Sequence, residues 1–443
     1  MNNKTVIIAA MLLVGNCVTQ AQTGNDADKE ITVKDQRGND EIIEVPEAMS
    51  YDLDSLMNLY MSKTYLNDDN DCNMKDVNPV FEKEVYIDRL SRIPGIMEMP
   101  YNEVVQKFID RYSGRLRHSV SYMLGASNFY MPIFEEALEA YGLPLELKYL
   151  PIIESALNPN AVSRVGATGL WQFMLATGKR YGLQVNTLVD ERRDPIKASY
   201  AAAHYLSDLY KIFGDWNLVI AAYNCGPSQI NKAIHRSKGE KDYWKIYPYL
   251  PKETRGYVPA FIAANYIMNY YCEHNICPMT TRLPDKTDTV MVSRNVHLQQ
   301  IADVCNIDIE QLRALNPLYR KDIVPGATEK AYIRLPQTEV GKFIDLEDSV
   351  YNYQADALLG GKRSVVEVSE DNVASVRSSS VKGRKSRSYA SRRSSRGAKT
   401  ITIKSGMTLS EIAKKHGTTV TKLKKLNGIK GTSIRAGKKL RVR

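Results

Sequence analysis

The sequence predicts an α+β multidomain protein, in which one all-α domain is followed by two small modules of strand–helix–helix–strand order. Three observations lead there. Between residues 82 and 283, apolar residues recur at helical spacing with little β-branched alternation. Beyond Pro284 the texture changes, and residues 289–335 align with 400–443 as an internal repeat. Finally, 443 residues exceed one ordinary core, so about two to four units are expected.

The N-terminus reads as an export signal. Lys4 supplies the charged region, residues 6–14 the apolar region, and Thr19-Gln20-Ala21 a small-residue cleavage site, so residues 1–21 are assigned as a signal peptide. The apolar run is too short to span a bilayer comfortably. Export places the protein in the periplasm or cell envelope. Cys17 opens a lipoprotein alternative with outer-membrane association, although Asn16 is larger than the Gly, Ala or Ser that usually precedes such a cysteine. Residues 22–81 are polar and acidic, with Asn67-Asp68-Asp69-Asn70-Asp71 as a loop signal, and little fixed structure beyond one short helix is expected there.

The all-α domain is placed at 82–283. Val104, Val105, Phe108, Ile109 and Tyr112 form one helical stripe, and Met131, Phe134, Leu138 and Tyr141 another. Gly142 closes the second helix and Pro144 opens the next, over 145–154. The alanine-rich stretch 198–213, then 216–223 and 259–271, read as buried helices.

In the repeat, Leu298/Leu409, Ile301/Ile412, Ala302/Ala413, Leu312/Leu423, Leu315/Leu426, Asn316/Asn427, Ile323/Ile434 and Gly326/Gly437 share one offset of 111 residues. Two strands alone are marginal, so the two helices of each copy must cover one face of the pair. The modules are assigned to 287–336 and 399–443, with a basic Ser/Arg-rich linker over 340–398.

The net charge of +10 is unevenly spread. Residues 360–443 hold 23 Lys and Arg against 4 Asp and Glu, so the rest of the chain is acidic overall. A tail this basic suits an anionic polymer, acidic lipid or nucleic acid. Export removes nucleic acid as a partner and leaves wall polymer. Outside the signal, Cys72, Cys225, Cys272, Cys277 and Cys305 match no zinc pattern and no CxxC, and sequence alone does not pair them. No His/Cys/Asp cluster argues for a metal, and no cofactor is implied. His118, His204 and His235 read as ordinary surface or core histidines.

The most informative stretch runs from Gly142 to Leu183. Glu154 ends an apolar segment of Leu150, Ile152, Ile153 and Leu157, and a glycine-flanked cluster follows from Gly166 to Met174. Burial raises a carboxyl pKa, which suits a general acid working near neutrality. A second carboxyl partner is not evident. Glu146 reads as solvated, and Asp190, Glu191 and Asp194 read as surface charges in a polar turn.

These residues resemble the lysozyme-like lytic transglycosylases of bacterial cell walls, the membrane-bound D type above all, over roughly residues 102–271. Glu154-Ser155 resembles the family's catalytic Glu-Ser, and Gly169-Leu170-Trp171-Gln172-Phe173-Met174 its Gly-Leu-x-Gln-φ-Met block. Ala222-Tyr223-Asn224 resembles its Ala-Tyr-Asn motif, and Glu253-Thr254-Arg255-Gly256-Tyr257-Val258 its later tyrosine motif. Leu175 stands where the family usually has proline. The two repeats resemble LysM modules, which bind N-acetylglucosamine-containing glycans. The 400–443 copy is the better match, while the 289–335 copy lacks the glycine at its first strand–helix junction and is degenerate.

The resemblance implies that peptidoglycan glycan strands are the substrate. Glu154 would protonate the oxygen between N-acetylmuramic acid and N-acetylglucosamine, then take the proton of the muramyl C6 hydroxyl as a 1,6-anhydro ring closes. One group would act as acid and then base, with the substrate supplying the nucleophile. Ser163 would hold Glu154 or an N-acetyl group, Gln172 would offer amide donors and an acceptor, and Met174 and Tyr223 would form an apolar wall. Asn224 and Tyr257 would orient Glu154 or the intermediate. Gly406, Thr408, Leu409, Asn427 and Ile434 are the corresponding glycan-binding candidates in the last module. Two other readings stay open: a goose-type-lysozyme-like hydrolase delivering water, and a non-catalytic glycan-binding wall protein. The sequence does not specify endo or exo action, peptide-stem preference or oligomeric state.

Overall fold

The computed structural model describes residues 29–34, 38–50, 63–64, 77–281, 283–328, 330–360, 400–402, 408–416, 418–427, 429 and 439–441. The signal peptide 1–21, much of the 22–81 region and residues 361–399 of the expected linker lie outside them. The chain divides into two units, Met1–Val376 and Arg377–Arg443. The description is mostly helical with small two-stranded sheets. Among the described residues no helix is long and apolar enough to cross a membrane.

Among the described residues, ten helices build the first part of unit 1: α1 (Lys83–Arg92), α2 (Glu103–Ser113), α3 (Arg117–Ala140), α4 (Leu150–Ser155), α5 (Leu175–Arg180), α6 (Pro195–Phe213), α7 (Trp216–Cys225), α8 (Pro227–Arg236), α9 (Tyr243–Ile246) and α10 (Lys252–Asn269). Helix α10 is the axis. It is buried almost continuously from Thr254 to Met268, and a helix with no polar face belongs in a core. Helices α2, α4 and α7 pack against it, while α3 packs on α6. Caps fix several starts: Asn102 accepts from the Val105 amide, Asp194 from those of Ile196 and Lys197, and Asp215 from that of Leu218. The helix expected over 145–154 is split into a 3₁₀ turn, Leu145–Tyr149, and α4. The proline at 151 suits the first turn of α4 because its missing amide is not needed there.

The 22–81 region is more ordered than its composition suggests. Strands β1 (Glu30–Lys34) and β2 (Asp40–Glu44) form an antiparallel hairpin, and a 3₁₀ turn, Glu47–Ser50, follows. Five-residue strands are marginal alone. Here Ile43, Val45 and Met49 are buried in the helical core, each contributing roughly 1.5–3 kcal/mol. Arg255 pairs with Glu41, and a Cβ on Gly256 would come within 2.4 Å of the Glu44 carbonyl oxygen. Hairpin and central helix touch backbone to backbone. A short pair, β3 (Lys63–Thr64) with β4 (Met279–Thr280), lies beside α3. Cys277 is disulfide-bonded, whereas Cys225 and Cys305 carry free thiols.

The first repeat completes unit 1. Strands β5 (Thr287–Val292) and β8 (Ala331–Pro336) pair, as do β6 (Asn295–His297) and β7 (Ile323–Pro325), beneath α11 (Leu298–Cys305) and α12 (Ile309–Leu315). The linker expected from residue 340 instead begins with α13 (Val340–Asp345), α14 (Glu347–Asn352) and α15 (Ala355–Leu359). Phe343, Val350, Tyr351 and Leu359 fill the module's core from these helices. The Gln300 amide donates to the carbonyls of Val350, Tyr351 and Tyr353.

Unit 2 repeats the plan with β9 (Thr400–Thr402), α16 (Leu409–Lys415), α17 (Val420–Asn427) and β10 (Lys439–Arg441) around Leu409, Ile412, Ala413, Leu423 and Leu440. One asparagine locks both copies. Asn316 donates to the carbonyls of Leu312 and Arg334 at 2.9 and 2.8 Å and accepts from the Arg334 amide at 2.8 Å. Asn427 does the same with Leu423 and Arg441 at 2.8, 2.8 and 2.7 Å. Each clamps the end of the second helix to the last strand. Replacing Asn316 by Ala leaves those strand groups unpaired, so unfolding should show a loss of roughly 1–3 kcal/mol. A loss within about 0.5 kcal/mol, as for an ordinary surface change, would deny the clamp its role.

Candidate active site

Leu150, Ile152, Ile153 and Leu157 are all buried, which leaves Glu154 on the open side of α4. Ala156 and Leu157 then take left-handed φ values of 50° and 60°. Such values cost non-glycine residues energy, and here they turn the chain sharply after the carboxylate. Ser155 is buried, and its hydroxyl reaches the carbonyls of Pro151 and Leu170 at 3.1 and 2.9 Å. That bond ties α4 to the 169–174 segment. Within the segment Gly169 has φ 88°, and a Cβ there would lie 1.8 Å from the Arg192 carbonyl oxygen, so only glycine fits.

Above Glu154 lies a cleft of about 350 Å³. Glu154, Ser163, Gln172, Met174, Tyr223, Asn224 and Tyr257 all line it. Their bonds define what each has left to offer. The Ser163 hydroxyl oxygen accepts from the Ala167 amide at 3.0 Å, leaving its own proton for the cleft. The Gln172 amide nitrogen donates to the carbonyls of Ala161 and Gly169. Its donors are therefore engaged by the protein. Met174 is 44% exposed at the rim. The Tyr223 hydroxyl donates to the Trp171 carbonyl at 2.8 Å, so the ring is presented and the hydroxyl is not. Asn224 accepts from the Thr254 hydroxyl at 2.8 Å, which ties it to α10. Tyr257 donates its hydroxyl proton to the Glu154 carboxyl.

The electrostatics follow from burial. Glu154 touches solvent through the cleft, yet protein atoms crowd its carboxyl. Desolvation pushes its pKa up to about 8; the Tyr257 bond pulls it down, and the charge of Glu253 pushes it up again. Tyr257 and Tyr223 are themselves held well above the ordinary phenol value, first by burial and then by the Glu154 charge. Both stay neutral donors.

Sequence reasoning missed part of the lining. Pro46 and Glu47 come from the hairpin region, and Tyr205, Cys225 and Glu253 from α6, α7 and α10. Glu253 was legible, since it lies one helical turn before Tyr257 on the same face. Nothing local marks Pro46 or Glu47. Four carboxylates expected to be solvated or at the surface are held by partners instead. Glu146 is buried and accepts from the amides of Ile96 and Met97. Asp190, Glu191 and Asp194 are not surface charges: Asp190 is fully buried against Arg192 and Arg320, Glu191 accepts from the Gln184 amide and pairs with Lys197, and Asp194 caps α6. Buried carboxylates survive when paired, and a single sequence does not show the partners.

In the last module, Leu409 is core, Asn427 is the strand clamp, and Thr408 caps α16 in a reciprocal pair with Glu411. Gly406 and Ile434 lie outside the described residues.

Known proteins match in this same order. Residues 131–246 match the family model for the transglycosylase SLT domain, 286–352 that for the lytic transglycosylase MltD LysM-like domain, and 401–443 that for the LysM domain. The chain thus carries a transglycosylase SLT domain followed by an MltD LysM-like domain and a LysM domain, and it is similar to lytic transglycosylases. It is 27% identical over 350 residues to membrane-bound lytic murein transglycosylase D of Escherichia coli K12, covering 78% of this chain and 70% of that one. It is 32% identical over 124 residues to the soluble lytic murein transglycosylase of the same strain, covering 27% of this chain and 19% of that one. Among solved structures, the 70 kDa soluble lytic transglycosylase of E. coli matches with 28% identity and a TM-score of 0.29, covering 32% of this chain and 24% of that one.

The raised carboxyl of Glu154 has a stability consequence. Between the ordinary value of 4.5 and about 8 the folded Glu154 holds a proton that the unfolded one has lost. Stability therefore falls as pH rises through that window and levels off above it. Glu154→Gln lacks this penalty. Relative to the parent it should gain up to about 1.4 kcal/mol per pH unit between roughly pH 5 and 8, read by denaturant unfolding. Parallel pH profiles would mean that the carboxyl is solvated.

Proposed function

We propose that this enzyme cleaves the β-1,4 bond between N-acetylmuramic acid and N-acetylglucosamine and closes a 1,6-anhydro ring on the muramyl product. Glu154 acts as the single general acid and base. The observation that carries this reading is one desolvated carboxyl at the cleft floor with one hydroxyl donor, Tyr257, bonded to it. A carboxyl with a pKa near 8 is protonated at neutral pH, and so is ready to give its proton to the leaving oxygen. The resulting carboxylate is a good base for the C6 hydroxyl proton, and Tyr257 stabilises it between the two steps. The C6 hydroxyl belongs to the same sugar, so ring closure needs no second protein nucleophile. Ser163 offers a donor and Gln172 an acceptor to the N-acetyl and hydroxyl groups, while Met174 and Tyr223 give apolar faces to the sugar rings. The LysM modules and the basic tail hold the enzyme to peptidoglycan in the cell envelope.

A second reading draws on Glu253. It is exposed in the same cleft, and an exposed carboxylate could activate water, as in two-carboxylate glycosidases. Mass spectrometry of digested sacculi separates the two, because anhydro ends mark ring closure and reducing ends mark hydrolysis. We expect anhydro ends, and Glu154→Gln should lower turnover by at least about a thousandfold while sacculus binding persists. Reducing ends as the main product, lost in Glu253→Gln, would establish the hydrolase. Tyr257→Phe removes the bond that lowers the Glu154 pKa. It should cut turnover by roughly 10- to 100-fold and move the alkaline limb of the pH–rate profile upward; an unmoved limb would detach Tyr257 from the carboxyl.

A further inference from the structure

The first LysM-like module is joined to the helical domain by more than chain continuity. Leu188 and Val189, from the loop before α6, are buried in the module's core, not in the helical one. Backbone bonds seal the join: the Arg320 amide donates to the Leu188 carbonyl at 2.6 Å and the Asp190 amide to that of Leu318 at 2.9 Å. At its centre is Asp190, fully buried. Arg320, from the module, reaches its Oδ2 at 2.7 Å. Arg192 grips both carboxylate oxygens, with Nε on Oδ1 and Nη2 on Oδ2, each at 2.9 Å. The remaining guanidinium nitrogen of Arg192 donates to the carbonyls of Gly166 and Phe173 at 3.2 Å. Gly166 and Phe173 belong to the loop that carries Ser163, Ala167 and Gln172 into the cleft.

We infer that Arg320 is a positioning residue for the cleft. It acts through Asp190 and Arg192 on the cleft wall formed by the 163–173 loop, and the LysM-like module therefore braces the catalytic domain. The physical ground is that a guanidinium fork is rigid when both ends are held. With Arg320 in place, the Asp190 carboxylate has its second cation and keeps Arg192 aimed at the two carbonyls. Without it, Asp190 and Arg192 keep their mutual pair but lose the anchor that fixes the pair against the module. A displacement of a few tenths of an ångström then passes to Ser163 and Gln172. The module's junction at 318–323, equivalent by repeat to the stretch before Ile434, is consumed by this docking. This inference rests on the proposal that the cleft is where the glycan is cut.

The test uses the full-length enzyme and a soluble, uncross-linked muroglycan oligomer of about four to six sugars, too short to engage a distant binding module. Arg320→Gln should lower kcat on this oligomer by roughly 10-fold or more with KM changed less than about threefold. Its unfolding midpoint should stay within a few degrees of the parent, and sacculus binding within about twofold. Arg320→Lys, which restores the charge without the fork, should recover part of the rate. Gly169 is not altered in either variant, so the segment's own backbone is intact. Should Arg320→Gln fail to fold, the rate of Arg320→Lys decides alone: a parental kcat overturns the brace, and a severalfold loss supports it. Parental kcat in folded Arg320→Gln, or a loss confined to sacculi and absent on the oligomer, also overturns it. If instead the parent enzyme itself does not cut the oligomer's glycosidic bonds while Glu154→Gln behaves identically, the reading of the cleft has failed and not the brace.

Discussion

The proposed chemistry of this chain depends on keeping one carboxyl out of water while leaving it open to the cleft. A short helix with an apolar back accomplishes the first requirement, since Leu150, Ile152, Ile153 and Leu157 occupy the core and leave Glu154 no polar neighbour on that side. Two left-handed residues accomplish the second by ending α4 abruptly, so the carboxyl meets the cleft and is not covered by a further turn of helix. The central helix α10 then supplies the single hydroxyl of Tyr257. One donor stabilises the carboxylate enough for it to form, and two or three would have drawn the pKa back toward the ordinary range.

Asp190 shows the opposite outcome under the same initial penalty. Burial raises its pKa as it does that of Glu154, but the bonds and charges of Arg192 and the charges of Arg320 and Arg193 win, and its carboxyl lies below the usual value. The two groups are parts of one structure: Arg192 reaches the wall of the cleft that Glu154 floors. A permanently ionised carboxylate is useful for holding guanidinium groups in place. A carboxyl that ionises only during turnover is useful for moving a proton. Environment, not residue type, divides the two roles.

Much of this was legible in the sequence, and the rest was hidden for a definable reason. Helical periodicity located the core helices, and the order of short motifs located the cleft residues on α4, the 169–174 segment, α7 and α10. The repeat offset located both modules. Charges were misjudged because a one-dimensional pattern does not distinguish a solvated carboxylate from a paired one. Glu146 accepts from amides about 50 residues away and Asp190 takes Arg320 from 130 residues away besides the nearby Arg192, while Glu191 and Asp194 find their partners within a few residues. The hairpin at Glu30–Glu44 escaped notice because an acidic composition argues for disorder, whereas a few buried side chains and a backbone contact at Gly256 suffice to fix it. Asn427 stood out as a repeated polar residue, but repetition marks whatever the fold requires twice. Here that was a clamp between helix and strand.

The two copies of the repeat show how one small fold serves two ends. Both use the same asparagine clamp and the same pair of covering helices, so their plans are alike. Their surroundings are not. The first copy is extended by α13–α15 and takes Leu188 and Val189 of the helical domain into its core, which makes it part of the scaffold of unit 1. Among its described residues the second has a core of Leu409, Ile412, Ala413, Leu423 and Leu440, and its sequence is dense in lysine. Lys422 and Lys425 are exposed, and positive charge on an exposed surface attracts an anionic polymer over a Debye length. Docking therefore suits the copy that has lost its first-junction glycine and gained neighbours, while the proposed capture of glycan falls to the copy that keeps both the glycine and the charge.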